Sequence, residues 1–247
     1  EEGYGSRYGQ KSESDEVYTD GVSQSAAATD VDRGALEAAD PSKSSGTAEI
    51  KDTIDTTTVV VTADPAKEGD ANVTFHFALS NPPQAGSTTT LTVNVGGTDY
   101  KVIVDAEGKG SLEVPNTNTD DVYNDASTLT ATVTNVDGGN FEAVDLSKSS
   151  VTAEIKDTID TTTVVVTADP AKEGDANVTF HFALSNPPQA GSTTTLTVNV
   201  GGTDYKVIVD AEGNGSLAVP HSTIDDVYKD GSTLTATVPN VDGGNFE

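Results

Sequence analysis

Apolar and polar residues alternate along this chain with a period of two. Between Asn72 and Leu79, Val73, Phe75, Phe77 and Leu79 fall on one side and Thr74, His76 and Ala78 on the other. Such alternation marks a half-buried β-strand, because successive side chains leave opposite faces of the backbone. Leu91, Val93 and Val95 repeat the pattern. The same reading predicts strands over 57–63, 72–79, 89–95, 100–104, 111–114, 128–133 and 151–155, rich in the Thr and Val that suit a pleated surface. Gly96-Gly97 supplies the positive φ angles of a tight hairpin. Asp105–Gly110 reads as a turn, and Pro115 closes the strand that follows it. No stretch carries the 3.6-residue period of a helix. Short strands at this spacing, divided by Gly, Pro, Asn and Asp, predict an antiparallel β-sandwich of immunoglobulin type.

The pattern recurs. Lys51–Thr58 returns unchanged as Lys156–Thr163, an offset of 105 residues. Residues 156–247 copy 51–142 with nine substitutions, among them Lys109/Asn214, Asn116/His221 and Thr134/Pro239. Residues 1–50 align without a gap onto 106–155. The fold class expected is therefore all-β, as tandem immunoglobulin-like antiparallel β-sandwich repeats of about 105 residues. Residues 1–51 read as the C-terminal half of a divergent repeat, 52–156 as a complete repeat, and 157–247 as a repeat lacking its last strand. A chain out of phase with its own period is expected to be a window on a longer array. In the first fifty residues the core positions weaken: Leu112, Val114, Leu129 and Val133 correspond to Arg7, Gly9, Gln24 and Ala28. The acids persist, with Asp120, Asp125, Asp137 and Glu142 matched by Asp15, Asp20, Asp32 and Glu37.

Composition narrows the chemistry. With no cysteine among 247 residues, a disulfide framework, a thiolate zinc site and a cysteine nucleophile are all excluded. Forty acids against 13 bases give a formal charge of −27, which disfavours nucleic acid or an anionic membrane surface as partner. No apolar run reaches the about 18 residues that a spanning helix needs, so no membrane insertion is expected. Acidity of this order keeps a chain soluble, and carboxylate oxygens are also calcium ligands. The acids gather at predicted strand ends. One group is Asp52 and Asp55, repeated as Asp157 and Asp160. A second is Asp120, Asp121 and Asp125 around Tyr123. A third is Asp137 and Glu142, and a fourth is Glu68 and Asp70. Loops of a sandwich cluster at its two poles, so consecutive modules meet loop to loop. The metal ligands nominated on this ground are Asp52, Asp55, Asp120, Asp121, Asp137, Asp157 and Asp160, with calcium (Ca2+) as the cofactor. The Asn-Val-Asp-Gly-Gly-Asn run from Asn135 is not an EF-hand loop, since its glycine and terminal glutamate fall at the wrong spacing. His76 and His181 are equivalent solvent-facing strand residues, and His221 stands where the other repeat has Asn116. No serine or threonine lies in a nucleophile-elbow context, so no enzyme is expected. Tyr123, matched by Tyr18 and Tyr228, is read as a corner tyrosine tying down a loop of its own sandwich.

Three motifs carry a resemblance: Asp121–Thr128 (DVYNDAST), Gly138–Glu142 (GGNFE) and Lys156–Thr163 (KDTIDTTT). In this order they resemble the extender repeats of giant LapA-like RTX biofilm adhesins of Gram-negative bacteria, over essentially the whole chain. The resemblance implies immunoglobulin-like domains in long arrays, type I secretion, an extracellular location at the bacterial cell surface, and calcium that rigidifies domain junctions. Carried onto this chain, the junction positions are Asp52, Asp55, Asp157 and Asp160. The function expected is a stalk that supports cell adhesion and biofilm formation, its partners the neighbouring repeats of the same chain. The alternative is a self-assembling extracellular fibre or matrix subunit, with strand exchange or lateral pairing between copies.

Overall fold

The computed structural model describes residues 17–18, 22–28, 45–51, 53–222, 227 and 231–247. Among them every regular element is a β-strand. In chain order these are β1 (Val22–Ala27), β2 (Ser45–Ile50), β3 (Thr56–Ala63), β4 (Ala66–Lys67), β5 (Asn72–Leu79), β6 (Thr89–Val95), β7 (Thr98–Val104), β8 (Lys109–Pro115) and β9 (Ser127–Gly138). They continue as β10 (Ala143–Asp145), β11 (Ser150–Lys156), β12 (Val164–Ala168), β13 (Asn177–Leu184), β14 (Thr194–Val200), β15 (Thr203–Val209), β16 (Asn214–Pro220) and β17 (Ala236–Gly243).

Each sheet follows from the alternation. One has the order β10-β3-β5-β8 and another β4-β11-β9-β6-β7. On β5 the burial alternates strictly, with Val73, Phe75, Phe77 and Leu79 inside. Val59 and Val61 of β3, Leu91, Val93 and Val95 of β6, and Val102 and Val104 of β7 are also buried. Each such side chain removed from water contributes about 1.5–3 kcal/mol. The second repeat keeps this arrangement in two three-stranded sheets, β12-β13-β16 and β15-β14-β17. Phe180 and Phe182 pack there with Leu196, Val198, Val207 and Val219 in one core. The hairpin joining β6 to β7 turns through Gly96 and Gly97, at φ of 57° and 87°, where a side chain would be strained.

Three departures from the sequence pattern matter. Two short strands, β4 and β10, pair parallel, β4 with β11 and β10 with β3; the other strand pairs with a resolved register are antiparallel. A two- or three-residue strand is too short to show alternation, so neither was predicted. Strand β9 runs to Gly138, five residues past its expected end at Val133. A bulge at Thr134 of β9, opposite Thr92 and Val93 of β6, shifts the register and lets pairing continue, which places Asp137 opposite Thr90. The front residues contribute the antiparallel pair β1-β2, with Gln24–Ala27 and Ser45–Glu49 exposed.

The chain divides into two compact units that do not follow the sequence repeat. The first holds Glu1–Pro65, Asn72–Pro115 and Thr128–Ala153. The second holds Ala66–Ala71, Asn116–Ser127 and Glu154–Glu247. Two loops of the first complete repeat thus belong with the connector and the repeat that follows.

Candidate metal centre

Glu68 is the centre of the second unit's acidic group. Its position starts from β4, where Ala66 and Lys67 pair with Ile155 and Lys156. The Glu68 amide then donates to the Lys156 carbonyl at 2.9 Å. Gly69 follows at φ 74°, and a Cβ there would lie 2.7 Å from the Asp120 side chain. Only glycine permits that approach. The loop of 116–127 is laced onto this segment. Asn116 Nδ2 donates to the Lys67 carbonyl at 3.0 Å, and the Gly69 amide donates to the Asn118 carbonyl at 3.0 Å.

These contacts leave Glu68 only 1% exposed. Its Oε1 accepts the amide and the hydroxyl of Thr158, each at 2.8 Å. Its Oε2 is buried with no hydrogen-bond partner. A buried carboxylate with one oxygen unpartnered is costly unless a counter-charge meets it. What surrounds it is more carboxylate. Ligand-capable atoms of Glu68, Asp157 and Glu247 lie within 4.8 Å of one another, as do those of Glu68, Asp121 and Asp125. The same Thr158 hydroxyl also meets Asp120, so its single proton is shared between two carboxylates. The Asp125 amide donates to both Asp157 oxygens, at 3.1 and 3.2 Å, and the Asp160 amide donates to Glu247. One oxygen of Glu247, Oε1, is likewise buried without a partner. Among the described residues the basic side chains that contact a carboxylate are His76, on Asp64, and His181, on Asp169, and no lysine or arginine pairs with this group.

The electrostatics follow. Desolvation, with Asp121, Asp157 and Glu68 nearby, raises the pKa of Asp125. At Glu247 the Asp160 amide pulls the pKa down, but desolvation and the Glu68, Asp157 and Asp160 carboxylates together outweigh it, leaving the pKa raised. All the donors are oxygens, the set that suits a hard divalent cation such as calcium.

The nominated residues therefore part company. Asp120, Asp121 and Asp157 lie in the group around Glu68, and Asp160 adjoins it through its amide. Asp137 is exposed on β9, in neither acidic triad. Asp52 lies outside the described residues. In the first unit the Asp55 amide donates to Glu142 at 2.5 Å, the counterpart of the Asp160–Glu247 contact. Glu68, Asp125 and Glu247 were not nominated. Glu68 and Asp125 stand in the sequence among the acids at strand ends, but nothing there marks Glu68 as buried, since its burial comes from β4 pairing with β11.

An aromatic contact stands beside the acids. Tyr123 Oη donates to the Pro187 carbonyl at 3.0 Å, and its ring lies 6.2 Å from that of Phe246. Pro187 is 64 residues downstream, in the following repeat. The tyrosine thus ties one repeat's loop to the next, not to its own sandwich. The first unit repeats the contact: Tyr18 Oη donates to the Pro82 carbonyl at 2.9 Å, and its ring faces Phe141 at 6.4 Å.

The model of the LapA domain family matches this chain twice, over residues 55–158 and 160–247. The chain belongs to the LapA domain family. The two LapA domains meet between Thr158 and Asp160. Glu68, Asp121, Asp125 and Asp157 belong to the first LapA domain, and Glu247 to the second. Comparison with curated proteins finds no match. Among solved structures, one described as giving insight into host cell surface retention of a 1.5-MDa bacterial ice-binding adhesin is similar at 21% identity. The likeness covers 71% of this chain and 58% of that one, less than two thirds of its length, with a TM-score of 0.25. It bears on neither the site nor its chemistry.

Proposed function

We propose that this chain is an extender segment of a bacterial cell-surface adhesin, stiffened by calcium at the joints between its LapA domains, and that it supports cell adhesion and biofilm formation. Membership of the LapA domain family supports the architectural half of this reading. The observation that carries the calcium half is Glu68, a carboxylate buried to 1% exposure, one oxygen unpartnered, among Asp121, Asp125, Asp157 and Glu247. Calcium takes six to eight oxygens, and extracellular modules bind it at about 10⁻⁴–10⁻³ M. Donors drawn from two consecutive domains tie their relative position to occupancy. Emptied, the same acids repel, and the joint is expected to flex. At a hundredfold excess over Kd, one site adds about 2.7 kcal/mol to stability.

Small-angle scattering and thermal melting of the whole chain, in calcium and in chelator, test the reading. Calcium should raise the melting temperature and narrow the spread of dimensions. Identical melting and scattering in the two conditions would sink it.

A further inference from the structure

Resting on the calcium reading above, we infer that this joint binds two cations, with Glu68 shared between them. The acids around Glu68 form two triads, Glu68/Asp157/Glu247 and Glu68/Asp121/Asp125. Glu68 is the member common to both, so the five carboxylates do not converge on one point. Charge points the same way. Glu68, Asp121, Asp125, Asp157 and Glu247 of the two triads, with Asp120 joined to Glu68 through the Thr158 hydroxyl, bring six formal negative charges to the joint. One divalent cation leaves four of them uncompensated, and no basic side chain among the described residues supplies the rest. Two cations leave two. The orphaned atoms match, because Glu68 Oε2 and Glu247 Oε1 are buried without hydrogen-bond partners.

The two positions differ in where their donors come from. Glu68, Asp121 and Asp125 all belong to the first LapA domain, so that position is complete within one domain. The position of Glu68, Asp157 and Glu247 needs the second domain for Glu247. The first cation holds the 116–127 loop against Glu68 and sets the orientation of its carboxylate. The second then spans the joint. On this assignment the joint is loaded in two steps, one belonging to a domain and one to the contact between domains.

The test counts bound calcium on the full chain by native mass spectrometry, taking wild type minus variant so that ions held elsewhere cancel. Asp121→Asn with Asp125→Asn should lose one ion. Asp157→Asn with Glu247→Gln should also lose one, and the four changes together should lose two. Glu68→Gln alone should lose two, with its circular dichroism spectrum recorded to show that it folds. If either pair and the fourfold variant all lose a single ion, the joint holds one cation, and the two-cation assignment is overturned while the calcium reading stands. If none of the variants loses an ion, the calcium reading of this joint fails as well. The fourfold comparison leaves Glu68 in place, so it decides the question whatever Glu68→Gln does to folding.

Discussion

Glu68 is the residue on which the joint turns, and its neighbour Gly69 is what allows it to sit there. Gly69 has φ 74°, and a Cβ added to it would meet Asp120 at 2.7 Å, a contact that backbone or loop must yield to. Gly69→Ala is expected to cost about 1–3 kcal/mol, through a left-handed backbone forced on a side chain and a displaced 116–127 loop. Urea unfolding measures the loss, and calcium titration of the same variant should show weakened binding. Gly231, which falls in a loop with open space around its Cα, serves as the control, since alanine there meets no neighbour.

At the scale of elements, the joint has an acidic half and an aromatic half. The aromatic half is built from the 116–127 loop and the turn after β17, with the Asn124 amide donating to the Asn245 carbonyl at 3.0 Å and Asn245 Nδ2 returning to the Asn124 carbonyl at 3.1 Å. Tyr123 closes it through Pro187 and Phe246. None of these bonds involves a carboxylate, so they should persist in chelator. Tyr123→Phe removes one exposed hydrogen bond and keeps the ring, at a cost of about 0.5 kcal/mol, the low end for such a bond. Hydrogen exchange should show faster opening of 116–127 in that variant, by the same factor with and without calcium. A loss that appears only in calcium would mean that the two halves are not independent.

Across the whole molecule, a formal charge of −27 makes pH a direct probe of the acids. A carboxyl whose folded pKa is raised binds its proton more readily folded than unfolded, so stability falls as pH rises through that pKa. Asp125 and Glu247 are of this kind. Asp145 is the opposite: the amide and hydroxyl of Ser147 hold its pKa down, a contribution present above its unfolded pKa and lost as pH falls through the lower folded one. In chelator, the melting temperature should therefore rise as pH is lowered through the raised pKa of Asp125 toward its ordinary value, then fall below the ordinary carboxylate range. In calcium the first rise should vanish, because the cation already compensates those charges. Scanning calorimetry across pH in both conditions checks this, and a monotonic fall from neutral pH in chelator would contradict it.

The sequence by itself determined the sandwich. The alternation of Val73, Phe75, Phe77 and Leu79, the glycine pair at 96–97 and the 105-residue offset are local or periodic signals, and the physics behind them acts between near neighbours along the chain. Those same signals brought Asp120, Asp121 and Asp157 forward as loop acids. Only the tertiary structure decided which acids meet. Asp137 stands apart from both acidic triads, exposed on a strand that a bulge opposite Thr92–Val93 keeps paired as far as Gly138. Glu68 entered because a two-residue strand pairs with Ile155 and Lys156, too short to leave a periodic trace. Tyr123 found its partners, Pro187 and Phe246, in the next repeat. Burial and partnership at a joint depend on residues some 60–90 positions apart, and no pattern within either segment encodes that distance.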